Sequence, residues 1–240
     1  MSEERYEVRI GSALIWARTA FARNVFSFVA LSVVVMILQF GQQYAATPFA
    51  ETFNRCIDAG GSGESIDSTA IASCFESEMG SLLLVILMAI VFVVASFLAT
   101  AGVVRGALYV TLGRKIGFAD TFTGPHFAAF SLTVLLIIAI FIAGLFLFVI
   151  PAIFAVLLFQ FAPFFALDRG LAPLTALKAS VGLVRQSWPL AILVLLFSGA
   201  AYLISVLFWG IPTLLFLPMA ALVTSYVFRS LQGELVDPQA

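Results

Sequence analysis

Few residues in this 240-residue chain could do chemistry, and those few are scattered. The only two cysteines, Cys56 and Cys74, fall in one acidic stretch with Glu51, Asp58, Glu64, Asp67, Glu76 and Glu78. In an oxidising compartment such a pair reads as a disulfide, which would stabilise the loop it closes by roughly 3 kcal/mol. The acidic residues lack the dense carboxylate ladder of a calcium loop and read as a solvated face. The single histidine, His126, follows Gly124-Pro125. One imidazole and two oxidised sulfurs cannot build a zinc or haem site, so no metal or cofactor is expected. Neither a Gly-Lys-Ser/Thr phosphate loop nor a Gly-x-Ser-x-Gly elbow is present. A membrane-embedded hydrolase would have to rely on Asp168, Arg169 and His126. No catalytic residue is assigned, and the chain is read as non-enzymatic.

Ion-coupled transport is equally short of material. Pumps keep ionisable groups within the membrane, because the charge is the coupling device. The polar side chains that stand out in apolar stretches here are Gln160, Ser198, Tyr202 and Ser205. The last three are spaced i, i+4, i+7 and share one helical face. They read as interhelical hydrogen-bonding groups, in preference to the lining of a polar path. Gln160 lies three residues before Pro163, which should kink its span and leave a carbonyl unpaired. The glutamine is expected to help satisfy such freed groups.

Those side chains need elements to carry them, and composition dictates which. Hydrophobic residues make up 62% of the chain and charged ones only 10%, against about 25% in ordinary soluble domains. Mean hydropathy is +1.11. A soluble domain of this size has too little interior to hide so much apolar surface. A net charge of −1 argues against a nucleic-acid partner. The expected fold is therefore all-α and polytopic, with about six transmembrane helices over residues 25–40, 81–104, 131–150, 152–167, 190–209 and 211–228. Almost no polar linker separates the third from the fourth, or the fifth from the sixth. With Pro151, and with Gly210 and Pro212, marking the breaks, each pair reads as a tight hairpin.

Lys and Arg set the orientation. Arg5, Arg9, Arg18, Arg23, Arg105, Arg114, Lys115, Arg169, Lys178, Arg185 and Arg229 all fall on one side of this arrangement, and Arg55 alone falls on the other. Both termini should be cytoplasmic and the protein a multi-pass component of the plasma membrane. Residues 1–24 form a cytoplasmic amphipathic segment, 25–228 the membrane domain with an extracytoplasmic loop over 41–80, and 229–240 a cytoplasmic tail. The 25–40 stretch, with Ala45-Ala46-Thr47 after it, reads as a retained signal-anchor, because the charged region before it is too long for a cleaved signal peptide.

A unit of amphipathic segment plus membrane hairpin is read three times, starting near Ile10-Gly11-Ser12, Ile116-Gly117-Phe118 and Leu171-Ala172-Pro173. In the third, Leu174, Leu177, Val181, Val184 and Trp188 follow helical spacing, with Lys178 and Arg185 off that face and Pro173 in the first turn. In the first, Tyr6, Ile10, Leu14, Ala17 and Phe21 share a face. These helices are expected to cap the bundle at the membrane surface, with Arg18, Arg23, Lys178 and Arg185 as candidate contacts to lipid headgroups.

The run Phe159-Gln160-Phe161-Ala162-Pro163-Phe164-Phe165-Ala166-Leu167-Asp168-Arg169-Gly170-Leu171-Ala172-Pro173, continuing through Lys178 to Val184-Arg185, resembles a group of actinobacterial integral membrane proteins described as proline- and glycine-rich. That group is in turn similar to the membrane domain joined to some glycerophosphodiester phosphodiesterases. The likeness is sharpest over 159–188 and looser over 81–231. The segment before the first span is not the long Pro-rich tail of that group, so no partner-binding role of such a tail carries over. The resemblance implies a helical membrane protein acting as an accessory or assembly factor of an envelope or respiratory complex. Its partners would be membrane lipids and other membrane proteins, or further copies of itself. A lipid or small-molecule transporter of flippase-like kind is the competing reading.

Overall fold

The computed structural model describes residues 10–61, 67–115, 117, 121, 125–147 and 149–238. All regular structure among them is helical: α1 (Ile10–Arg23), α2 (Val25–Ala59), α3 (Ser68–Thr111), α4 (Phe127–Leu147), α5 (Val149–Phe159), α6 (Ala162–Arg169), α7 (Pro173–Gln186), α8 (Trp188–Leu207) and α9 (Thr213–Leu231). Six stretches are long and apolar enough to cross a membrane, namely α2, α3, most of α4, α5 with α6, α8 and α9. The chain is a multi-pass, all-α membrane protein. Its contacts divide it into two compact units, one of Val34–Ala99 and one of the remaining residues.

The Val34–Ala99 unit is a helical hairpin, and it corrects the expected loop over 41–80. The acidic stretch is helix on both sides of a short connection. α3 alone has 44 residues, about 66 Å of helix at 1.5 Å per residue, where the hydrocarbon core is ~30 Å. Both helices therefore continue beyond the apolar layer. Pro48 stands inside α2 without ending it. Proline lacks the N–H that would bond the carbonyl four residues back, at Tyr44, and the Thr47 hydroxyl donates to that carbonyl at 2.8 Å instead. The Phe92 ring lies so close over Gly41 that a Cβ there would meet it at 2.4 Å.

The connection turns at Gly61, in the left-handed region at φ +82°. Asp67 then caps α3, its carboxylate accepting from the Thr69 and Ala70 amides at 2.9 and 3.2 Å. The Thr69 hydroxyl, followed by these amides, holds the Asp67 carboxyl below its ordinary value of 3.8. Cys56 and Cys74 are joined by a disulfide, with Cα atoms 5.4 Å apart. Arg55 pairs with Glu78 at 3.5 Å, and Phe53 packs between Phe49 and Phe75.

The larger unit is a bundle around Phe228, which Phe161, Phe164 and Phe165 approach at centroid distances of 6.4, 5.7 and 4.8 Å. α4 and α5 form one tight hairpin, with Gly144 against the Ala152 backbone: a Cβ on the glycine would lie 3.1 Å from the Ala152 nitrogen. α8 and α9 form another, turned by Trp209 and Gly210 at positive φ. α1 packs on α9 through Ala13, Trp16, Ala17 and Ala20, and Trp16 lies 5.3 Å from the Tyr226 ring. This face is rotated from the expected one. Leu14 and Phe21 are only half-buried, Ile10 is likewise at the margin, and Tyr6 lies outside the described residues. Small alanines let α1 approach α9 closely, and that outweighs the larger side chains of the expected stripe. α7 is rotated in the same sense. It buries Ala176, Leu177, Ser180, Leu183 and Val184, while Leu174 and Trp188 are exposed. The second expected segment, near 116–126, lies almost wholly outside the described residues.

Span four breaks rather than kinks. α5 stops at Phe159 and α6 begins at Ala162, with Pro163 in its first turn. The break would strand backbone groups in an apolar layer, where each costs several kcal/mol. Ser180 of α7 resolves it: its hydroxyl donates to the Leu158 carbonyl at 2.7 Å and accepts from the Phe161 amide at 3.2 Å. Gln160 has a different role from the expected one, since its Nε2 donates to the Ala191 carbonyl of α8 at 3.1 Å. Replacing Ser180 by Ala should destabilise the protein by about 1–3 kcal/mol, because two buried backbone groups lose one shared partner. Denaturant or thermal unfolding in mild detergent reads this, and an unchanged midpoint would contradict the assigned role.

Candidate functional site

The polar residues of the larger unit gather where α3, α6 and α9 end. Arg229, near the C-terminus of α9, is 6% exposed. Its Nη2 donates to Asp168 Oδ1 of α6 at 2.6 Å, its Nη1 donates to Glu234 Oε2 of the tail, and its Nε faces Thr111 Oγ1 of α3 at 3.4 Å. Arg169, next along α6, donates to the other Glu234 oxygen at 2.5 Å and stands over the Phe165 ring. Two guanidinium groups and two carboxylates thus interlock with no net charge. The network sits beside the Phe228 core, where opposite charge and hydrogen bonds offset the water that the buried Arg229 has lost.

Local structure aims each member. α6 ends on Gly170 in the left-handed conformation, with its amide on the Ala166 carbonyl. His126, itself at φ +74°, lays its ring against this glycine, where a Cβ would come within 2.3 Å of Nδ1. After α9 the chain turns at Gly233, and the Glu234 amide donates to the Arg229 carbonyl at 3.1 Å. The tail is then tied twice more, by the Asp237 amide to the Thr111 carbonyl at 3.1 Å and by Trp16 Nε1 to the Asp237 carbonyl at 2.8 Å. Arg105 was expected in a polar loop. It lies inside α3 instead, buried, over the Phe127 ring at 4.2 Å, with Nη2 donating to the Pro125 carbonyl.

Glu234 shows how the network balances. Burial pushes its carboxyl up, but hydrogen bonds and charge from Arg229, then Arg169, outweigh this and hold it below the ordinary 4.5. A depressed carboxylate contributes stability above its unfolded value and loses it as pH falls through the folded one.

Among the expected site residues, Asp168 and Arg169 belong to this network. Arg18, Arg23, Lys178 and Arg185 are exposed on α1 and α7. Of the expected intramembrane contacts, Gln160 joins two helices. Ser205 instead bonds within its own helix, its hydroxyl donating to the Ala201 carbonyl at 2.9 Å, Tyr202 is exposed, and Ser198 is half-buried. Sharing a helical face did not make these three a shared polar path. Glu234 and Ser180 were not singled out in the sequence. Their polar type gave no signal, because Glu234 joins Arg229, five residues away, to Arg169, 65 residues away, and Ser180 bonds a carbonyl 22 residues away.

Replacing Arg229 by Met should destabilise the protein, by less than the ~3–5 kcal/mol of a fully buried pair because the half-buried Asp168 left without its partner keeps some contact with water. Adding Asp168→Asn should recover part of that loss, so a double-mutant cycle read by thermal unfolding in detergent should give a clear coupling energy. Additive losses would show the pair to be independent. Glu234→Gln should lower the midpoint at pH 7, and its difference from the parent should shrink as pH falls from about 4.5, the ordinary value, through the lower value at which the folded parent's carboxylate protonates. A difference constant with pH would count against the charged network.

Comparison with known proteins gives relatives without assigned roles. Over 230 residues, 93% of the chain, the sequence is 26% identical to the uncharacterized protein Rv2560 of Mycobacterium tuberculosis, covering 69% of that protein. The uncharacterized protein Mb2590 of Mycobacterium bovis matches with the same identity and coverage. No family model matches the chain, and no solved structure matches it significantly.

Proposed function

We propose that this protein is a non-enzymatic accessory or assembly component of a membrane or cell-envelope complex, and that the Val34–Ala99 hairpin is its docking element. The observation that carries the reading is the contrast between the two units. Among the described apolar residues of the hairpin unit, only Val35, Cys56 and Ala99 are buried, whereas the larger unit has an extended aromatic and aliphatic core. The hairpin is nevertheless built to hold its shape, with a capped turn, an ion pair and a disulfide beyond the apolar layer. A rigid helical pair with open faces suits side-by-side packing with helices of another membrane protein, which rests on shape rather than on hydrophobic transfer.

The distribution of Lys and Arg supports a plasma-membrane orientation in which the Arg229 network and both termini face the cytoplasm. A disulfide in the hairpin accords with an oxidising exterior. The likeness of 159–188 to the actinobacterial membrane group supports the accessory role.

A photo-crosslinking residue at Leu83 or Leu87, both more than half exposed, should capture one defined membrane protein in cells. Adducts confined to lipid would favour the carrier reading and overturn this one.

A further inference from the structure

Arg169 and Arg229 come from different helices and meet on one small anion. Each takes one oxygen of the Glu234 carboxylate, the forked arrangement with which guanidinium groups hold carboxylates and phosphates. The aim of Arg229 does not depend on Glu234. Asp168 fixes Nη2 at 2.6 Å and Thr111 faces Nε, while Arg169 leans on Phe165. Were Glu234 to leave, two donors would remain pointed at the same place, and Arg169, Arg229 and Asp168 together would carry one positive charge.

The tail that brings Glu234 there is lightly fastened. None of residues 232–238 is buried, and Leu235 is 94% exposed. Its ties include hydrogen bonds from Trp16, from its own amides, from the Gln232 side chain to the Phe228 carbonyl and from the two arginines. A segment with few buried apolar contacts opens locally at far less cost than global unfolding. Both arginines also lie in the last turn of spans that end there, at the level where lipid phosphates sit.

We propose that Arg169 and Arg229 form a binding site for a phosphate group, and that Glu234 is its tethered competitor, which the ligand displaces as the tail swings away. A tether of a few residues gives the internal carboxylate an effective concentration on the order of millimolar or more. A dilute soluble phosphate competes poorly with that. Anionic lipid in a bilayer is present at far higher local concentration, and it is the source expected to succeed. This site is independent of the docking role given to the hairpin.

The test uses the full chain in nanodiscs. Cys56 and Cys74 are already joined, so Leu235→Cys supplies one reactive thiol for a spin label. In phosphatidylcholine alone the label should report a docked tail. With about a third phosphatidylglycerol it should become mobile, an order-of-magnitude composition at which the surface is strongly anionic. Millimolar inorganic phosphate over phosphatidylcholine is the second arm, and mobilisation there would keep the phosphate site but assign it to a soluble ligand. Mobilisation in neither arm overturns the proposal. Arg169→Gln, carrying the same label, should show no further response to phosphatidylglycerol, and a response equal to the parent's would also overturn it. Glu234→Gln should retain roughly tenfold more phosphatidylglycerol per protein by native mass spectrometry, as expected when a charged internal competitor is removed. Unchanged retention would contradict the competition.

Discussion

The Arg229 guanidinium is where the larger unit is tied together. It lies at the end of α9, yet its three nitrogens address α3 through Thr111, α6 through Asp168 and the tail through Glu234. These segments are far apart in the chain, and each leaves the apolar layer at this level. A buried cation is tolerated only where opposite charge and hydrogen bonds replace its water. Arg229 therefore constrains all of them together: α6 must end where Asp168 can reach, and the tail must turn at once at Gly233. The Phe228 core above fixes the depth, because the neighbouring residue of the same helix turn is packed among Phe161, Phe164 and Phe165.

A second constraint runs through the apolar layer itself. Lipid offers no hydrogen bonds, so every interruption of a helix has to be answered from within the protein. Two interruptions are met in two ways. At Pro48 the answer is local, from the adjacent Thr47 hydroxyl. At the break before Pro163 it comes from another helix, through Ser180. Gln160 then uses its own side chain to fasten the broken segment to α8. Breaking span four has a structural return. It lets the short α6 set its own direction, and that direction carries Asp168 and Arg169 to Arg229.

The membrane class and the number of spans were legible in the sequence because they depend on local composition. Twenty apolar residues in a row have one stable use, wherever the rest of the chain goes. The disulfide was legible because two cysteines leave a single pairing. The helical nature of 41–59 and 68–80 was not, since Gly60, Gly61 and a run of acidic residues resemble a loop by type, and only the Asp67 cap and the cross-links between the two helices show otherwise. The buried faces of α1 and α7 were missed by a rotation. Hydrophobic spacing favours the largest side chains, whereas close helix packing favoured Ala13, Ala17 and Ala20, and on α7 drew in Ser180. The charged network was half legible. Asp168 and Arg169 stood out beside a conspicuous motif, but the five-residue spacing of Arg229 and Glu234 does not reveal that Glu234 also reaches Arg169, 65 residues away.

The scarcity of charge gives the two units different characters. The hairpin holds its form through a covalent bond and a largely exposed ion pair, contacts that do not depend on a dry interior. In the larger unit a buried guanidinium, Arg229, holds a network whose other charged members keep some contact with water. Such a network responds sharply to the loss or exchange of one ion, whereas a disulfide does not. Under the proposed docking role, a unit built to stay fixed suits lasting contact with a partner. Under the proposed phosphate site, a network held by exchangeable charges suits response to the composition of the membrane surface.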